Sequence, residues 1–110
     1  MKNKCILDFE IPCKKYTCLN SYRLGKEIRK YFEDLGADLK DIEEKRIIIC
    51  YIPDNIKHVS KSFVDGFLGD RIKENGVKIF LKYNVFSNNN SILRTIYENM
   101  KELICKYMAK

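Results

Sequence analysis

Two serines carry the chemistry that this chain can be read for. Ser60 and Ser62 lie in the stretch Val59-Ser60-Lys61-Ser62-Phe63-Val64-Asp65-Gly66-Phe67-Leu68-Gly69. That stretch follows the apolar run Ile47-Ile48-Ile49-Cys50-Tyr51-Ile52 and a turn at Pro53-Asp54-Asn55. The layout reads as strand, loop, serines, helix. A serine at a helix start can cap the helix with its hydroxyl oxygen. It can also accept a phosphate, which adds about two negative charges and three acceptor oxygens where the helix dipole is positive. The free amides of the first turn would hold that group. Lys57, His58 and Lys61 would screen it. A charge of this kind on a docking surface gates binding. As a cap, Ser62 would pair with Asp65 at capping-box spacing, Asp standing where Glu is usual. Ser60 and Ser62 are thus the candidate switch residues. Asp54, Lys57, His58, Lys61, Asp65, Gly66 and Gly69 form the candidate partner surface around them.

Other chemistries find little to stand on. His58 is the only histidine, and its nearness to Ser60 in sequence does not make a triad, whose geometry is set in space. The carboxylates are scattered among lysines. Gly66-Phe67-Leu68-Gly69 falls inside a helix and lacks the Lys-Ser/Thr of a phosphate loop. We expect no catalytic residues and no cofactor. The five cysteines, Cys5, Cys13, Cys18, Cys50 and Cys105, include no C-x-x-C pair, so no metal site is expected. They read as reduced thiols, with Cys50 a small core residue.

At 110 residues the chain fits one domain, residues 1–110, with 45% hydrophobic residues to build a core. The formal net charge is +6. Basic residues crowd the beginning at Lys2, Lys4, Lys14, Lys15, Arg23 and Lys26. Nucleic-acid binding would need a basic stripe with interleaved aromatics, and Lys14-Lys15-Tyr16 is short for one. No window reaches the roughly 18 apolar residues of a membrane span, and Asp8 and Glu10 break the pattern of a signal peptide. The expectation is a cytoplasmic protein with no membrane contact.

The elements that must position the serines follow from periodicity. Cys5, Leu7, Phe9 and Ile11 alternate with Ile6, Asp8 and Glu10, which predicts a strand near a sheet edge, ended by Pro12. Residues 13–19 stay open between a loop and a short strand pairing as a hairpin. Leu24, Ile28, Tyr31, Phe32 and Leu35 predict an amphipathic helix capped by Asn20 or Ser21 and stopped at Gly36. Residues 37–45 read as a polar connector that can hold a short helical turn. The unbroken Ile47–Ile52 run predicts a strand covered on both faces, as in a parallel sheet. A second helix runs from Ser60 or Ser62 to Glu74, with Asn75-Gly76 as its stop. Gly66 and Gly69 within it each cost about 1 kcal/mol against alanine. Close packing or contact with a partner would account for them. Val77, Ile79, Leu81 and Tyr83 predict a third strand, prolonged by Val85 and Phe86. Ile92 to Met108 is the longest helix; its broad apolar stripe serves the core or, at its end, a dimer or partner seam.

The resulting order is α/β, β(β)αβαβα, with three helices and a mostly parallel or mixed sheet of 3–5 strands. That order, with Ser60-Lys61-Ser62-Phe63-Val64-Asp65-Gly66-Phe67-Leu68-Gly69 after the central strand, resembles the STAS domain of sulfate transporters and anti-sigma-factor antagonists. It is most similar to the small prokaryotic STAS-like relatives, in which Ser-x-Ser-Phe-x-Asp-x-x-x-Gly opens the helix. Ser21-Tyr22-Arg23-Leu24-Gly25 fits the same group. The resemblance implies a non-enzymatic regulatory module, switched by serine phosphorylation. Its implied partner is a histidine-kinase-like ATPase or an anti-sigma-type switch protein. Two alternatives stand beside it: a basic nucleic-acid-binding protein, and a small inhibitor or accessory protein of a mobile element. A homodimer is left open.

Overall fold

A computed structural model describes residues 4–109. Its elements are β1 (Lys4–Asp8), β2 (Cys18–Leu19), α1 (Tyr22–Asp34), α2 (Leu39–Lys45), β3 (Ile47–Tyr51), β4 (His58–Val59), α3 (Lys61–Lys82), β5 (Tyr83–Phe86) and α4 (Asn90–Met108). Strands β1, β3 and β5 form one parallel sheet in that order, and β2 and β4 form a separate parallel pair. The class is α/β, with four helices rather than three and two small parallel sheets rather than one.

The sheet order decides where the helices go. The crossovers β1–α1–β3 and β3–α3–β5 step in the same direction across the sheet. Right-handed crossovers then place α1 and α3 on one face. Helix α3 lies between α1 and α4, packed on both. The register sets Leu7, Cys50 and Val85 in one row and Cys5, Ile48 and Tyr83 in the next, on the helix side. Of these, all but the half-buried Cys5 are buried. The opposite face carries Ile6, Ile49 and Asn84, with Asp8, Tyr51 and Phe86 beside them. Ile6 is 67% exposed, Phe86 57% and Ile47 43%. The central strand is therefore covered on one face only, against the expectation of two. The cause is topological: a sheet wound without reversal leaves its second face without crossover helices.

The first strand ends at Asp8, earlier than its alternation suggests, and Ile11 is exposed in the turn that follows. Phe9 still reaches the core, its N–H donating to the Tyr51 carbonyl at 3.0 Å. Residues 13–19 do contain a strand, but β2 pairs with β4 in parallel instead of folding back on β1. Ser21 caps α1, its Oγ accepting from Leu24 N–H at 3.0 Å, and Gly36 adopts φ 102° just past the helix. The connector holds a full helix, α2, which buries Leu39 and Glu43 completely.

The third strand is displaced. Residues 77–82 are helical, and the strand begins at Tyr83. Asn75-Gly76 is a kink, not a stop: Asn75 leaves helical geometry at φ −163°, ψ 71°, and α3 resumes after it. Gly76, Ile79, Phe80 and Tyr83 then fall at helical spacing, three of them buried and Phe80 half-buried against Tyr97. Val77 and Leu81, the inward residues of the strand reading, are 62% and 70% exposed. The Gly76 backbone lies against Ile104 and Met108 of α4, where a Cβ would approach Ile104 Cγ1 to 3.2 Å. In α4, Ile92, Ile96, Met100 and Leu103 are buried, so the stripe serves the core.

All five cysteines are free. Burial pushes the Cys13 thiol up to about 12, and it raises Cys50 and the Tyr83 phenol as well. An acid whose folded pKa is raised stabilises the fold only while the unfolded chain also stays protonated. The contribution of these thiols is thus fully present below pH 9, the ordinary thiol pKa. From there it falls as pH rises, Cys13 alone contributing about 1.4 kcal/mol per pH unit until its own raised pKa is passed. Urea melts at a series of alkaline pH values check this; a stability flat from pH 8 to 11 would contradict it.

Candidate functional site

The site is the entrance to α3, at the C-terminal rim of the parallel strands. After β3 the chain turns through buried Pro53 and exposed Asp54. Asn55 latches the turn to the β1–β2 connection, its Nδ2 donating to the carbonyls of Cys13 (3.0 Å) and Tyr16 (2.8 Å). Lys57 N–H donates to the Thr17 carbonyl at 2.7 Å and Ser60 N–H to the Leu19 carbonyl at 2.9 Å, closing the β2–β4 pair at both ends. Val59 and Ile56 are buried beneath it, so the backbone leading into α3 is fixed by packing and by hydrogen bonds. Asn99 Nδ2 on α4 reaches the Val59 carbonyl at 3.4 Å.

The two serines have different situations. Ser60 is the N-cap: its backbone is extended (φ −91°, ψ 164°) and its Oγ accepts from Phe63 N–H at 3.1 Å. The cap therefore sits at Ser60 and not at Ser62. Phe63 occupies the third helical position, so the capping box expected for Ser62 with Asp65 does not form. Ser62 is the second helical residue, and it is exposed. Of the four leading N–H groups, Ser60's goes to Leu19 and Phe63's to the cap. Those of Lys61 and Ser62 have no partner among the described residues. Two unclaimed amides, the positive end of a helix and an exposed hydroxyl therefore coincide.

Around them, Asp54, Lys57, His58 and Lys61 are all exposed on the same connection. Lys57 Nζ donates to the Asp54 carbonyl at 3.0 Å, and Asp54 Oδ1 accepts from Asn88 Nδ2 at 3.0 Å. Lys61 Nζ pairs with Glu102 of α4 at 3.1 Å. The other three proposed surface residues belong elsewhere. Asp65 is half-buried and accepts from Tyr107 Oη at 2.8 Å, which raises that phenol to about 12. Gly66 is buried against α1, where an added Cβ would meet Tyr22 O at 2.0 Å. Gly69 is buried too, a Cβ there meeting Asp65 Oδ1 at 2.2 Å. At Gly66 the reason is helix–helix approach, since backbone meets backbone only where no Cβ intervenes; at Gly69 the space is taken by the Asp65 side chain that holds Tyr107.

A second polar cluster escaped sequence reasoning. Glu43 of α2 has no exposed surface, yet its carboxylate accepts from Arg71 Nε of α3 (2.6 Å) and Tyr83 Oη of β5 (2.5 Å). Arg29 Nη1 of α1 lies 3.1 Å away and also donates to the Phe67 carbonyl at 2.9 Å. Glu33, Glu44 and Glu74 complete the arginine contacts nearer solvent. Four elements meet on one carboxylate. In sequence, Glu43 is one more charge in Lys40-Asp41-Ile42-Glu43-Glu44-Lys45-Arg46, a run that reads as solvated. The available signal was Leu39 four residues before it, on the same helical face. Bound to both arginines and to the Tyr83 phenol, the Glu43 carboxylate ties α1, α2, α3 and β5 together.

Among the described residues no group of three or more His, Cys, Asp or Glu is placed to hold a metal ion, and no helix is long and apolar enough to cross a membrane. Comparison of the chain with protein-family models, curated proteins and solved structures finds no match.

Proposed function

We propose that this chain is a non-enzymatic regulatory module that docks a protein partner through the rim formed by Asp54, Lys57, His58, Lys61 and Ser62. Ser62 is the switch. One observation carries the reading: Ser62 presents its hydroxyl to solvent beside two unclaimed helix amides, while Ser60 is committed to the cap. A phosphate on Ser62 would reverse the sign of a rim otherwise supplied with lysines, and a partner reading that rim would be released or recruited. The STAS-like resemblance suggests the partner's class, an ATPase of the histidine-kinase-like kind. A nucleic-acid reading draws less support, because Arg23 and Lys26 of the basic segment are paired with Glu27 (3.2 Å) and Asp70 (3.4 Å).

Ser62→Glu should change recovery of a partner from source-organism lysate by about tenfold or more, with the melting curve unchanged. Ser62→Ala should recover partner as wild type does before phosphorylation. Ser60→Ala should instead lose about 1 kcal/mol of stability, through the cap alone. Equal partner recovery by wild type and Ser62→Glu would remove the switch, as would intact-mass spectra of native protein showing the phosphate on another residue.

A further inference from the structure

The two edges of the main sheet are treated differently. On β5 the outward N–H of Val85 is taken by Tyr97 Oη of α4 at 2.9 Å, so a helix covers that edge. On β1 nothing plays this part among the described residues. Phe9 N–H points to β3, since it donates to Tyr51 O. By strand alternation, the N–H and C=O groups of Lys4, Ile6 and Asp8 point away from β3, along an unpaired edge. Beside that edge runs a groove lined by Ile6, Ile11, Tyr31, Leu35 and Ala37. Ile6, Ile11 and Leu35 are each about two-thirds exposed or more, at 67%, 72% and 69%.

We propose that this edge pairs with the same edge of a second copy, joining two sheets into one across a two-fold axis at Ile6. The strand is its own complement when reversed. Its sequence, Lys4-Cys5-Ile6-Leu7-Asp8, has a positive end, an apolar middle and a negative end. Antiparallel pairing centred on Ile6 sets Lys4 opposite the second copy's Asp8, and Ile6 opposite Ile6. These three pairs are made only of outward-pointing residues, so each exchanges both backbone hydrogen bonds. A shift by one residue would set outward groups against inward ones, and a parallel arrangement would oppose Lys4 to Lys4. Lys4 is exposed, and Asp8 has one carboxylate oxygen in use, Oδ1 accepting from Glu10 N–H at 2.9 Å. The charges match across the axis, as an isologous interface requires. The apolar grooves flanking both edges add buried surface to the backbone bonds.

Sedimentation of the full chain over a concentration series tests this. Wild type should reach a two-chain mass. Lys4→Asp sets two carboxylates opposite each other twice, and should weaken association by at least about tenfold. Asp8→Lys should do the same with ammonium groups. The double variant Lys4→Asp/Asp8→Lys should dimerise as wild type does, because it reverses every pair. Amide hydrogen exchange supplies a readout independent of the variants: the N–H groups of Ile6 and Asp8 should become protected as the dimer forms. A single-chain mass at every concentration overturns the proposal, and would leave the edge to a strand from another protein. So does a dimer that leaves those two amides exchanging freely, or one that Lys4→Asp does not weaken.

Discussion

Glu43→Gln is expected to cost about 3–5 kcal/mol of folding stability, measured by urea denaturation. The change keeps the shape of the side chain and removes its charge. What remains is Arg29 and Arg71, with side chains 15% and 10% exposed, held by the fold where their central counter-ion was. The carboxylate now accepts from Arg71 Nε and Tyr83 Oη and faces Arg29; an amide offers one oxygen and turns an N–H₂ toward the other donors. The large loss comes from the uncompensated partners, since a buried pair as a whole is worth little over an apolar replacement. That distinction gives a second result. Arg71→Met alone should be costly, yet in a Glu43→Met background it should cost markedly less, because the group it left unpaired is gone. Additive costs in that cycle would show that Glu43 and Arg71 act independently, against the geometry described above.

The other large effect lies at the crossing of α1 and α3. Gly25→Ala would place a Cβ 2.3 Å from Phe63 O and 2.8 Å from Phe67 N; Gly66→Ala would place one 2.0 Å from Tyr22 O. All of these obstacles are backbone, which no rotamer change can clear. The helices would have to separate, and their movement would disturb the Arg29 bond to Phe67 O and the tilted packing of the Phe9 ring against Phe32 and Phe67. We expect each substitution to lose about 3 kcal/mol or more, well beyond the 1 kcal/mol that alanine's better helix propensity returns. Gly36→Ala, by contrast, meets no atom within 4 Å and pays only for its positive φ, so its loss should be smaller. Thermal melts of the three variants check the order; a Gly66→Ala chain as stable as wild type would mean that the helices do not cross this closely.

Some of these features could be read from the residues and some could not. The amphipathic stripe from Leu24 to Phe32 and the cap at Ser21 were legible because a surface helix writes its burial at a period of 3.6. The serine segment was legible as a helix start, but the choice of cap was not: Ser60 and Ser62 are both good N-caps, and the β2–β4 hydrogen bond at Ser60 N–H settles which one stands outside the helix. Residues 76–83 satisfied two periods at once. Val77, Ile79, Leu81 and Tyr83 alternate, while Gly76, Ile79, Phe80 and Tyr83 follow a helix, and contact with Ile104 and Met108 of α4 selected the second. Gly66 is costly within a helix, and only the crossing partner, Tyr22, shows the close backbone approach that it permits.

By itself the sequence determined the alternation of strands and helices, the parallel sheet that such alternation demands, and the helix that opens at the paired serines. These are consequences of local periodicity and capping, which act within a few residues along the chain. Tertiary structure alone decided that one face of Ile47–Tyr51 lies open, that Glu43 is buried among two arginines and a phenol, and that the β1 edge has no partner among the described residues while Tyr97 covers β5. Each of those depends on which residues far apart in the chain become neighbours, and no period in the sequence encodes that.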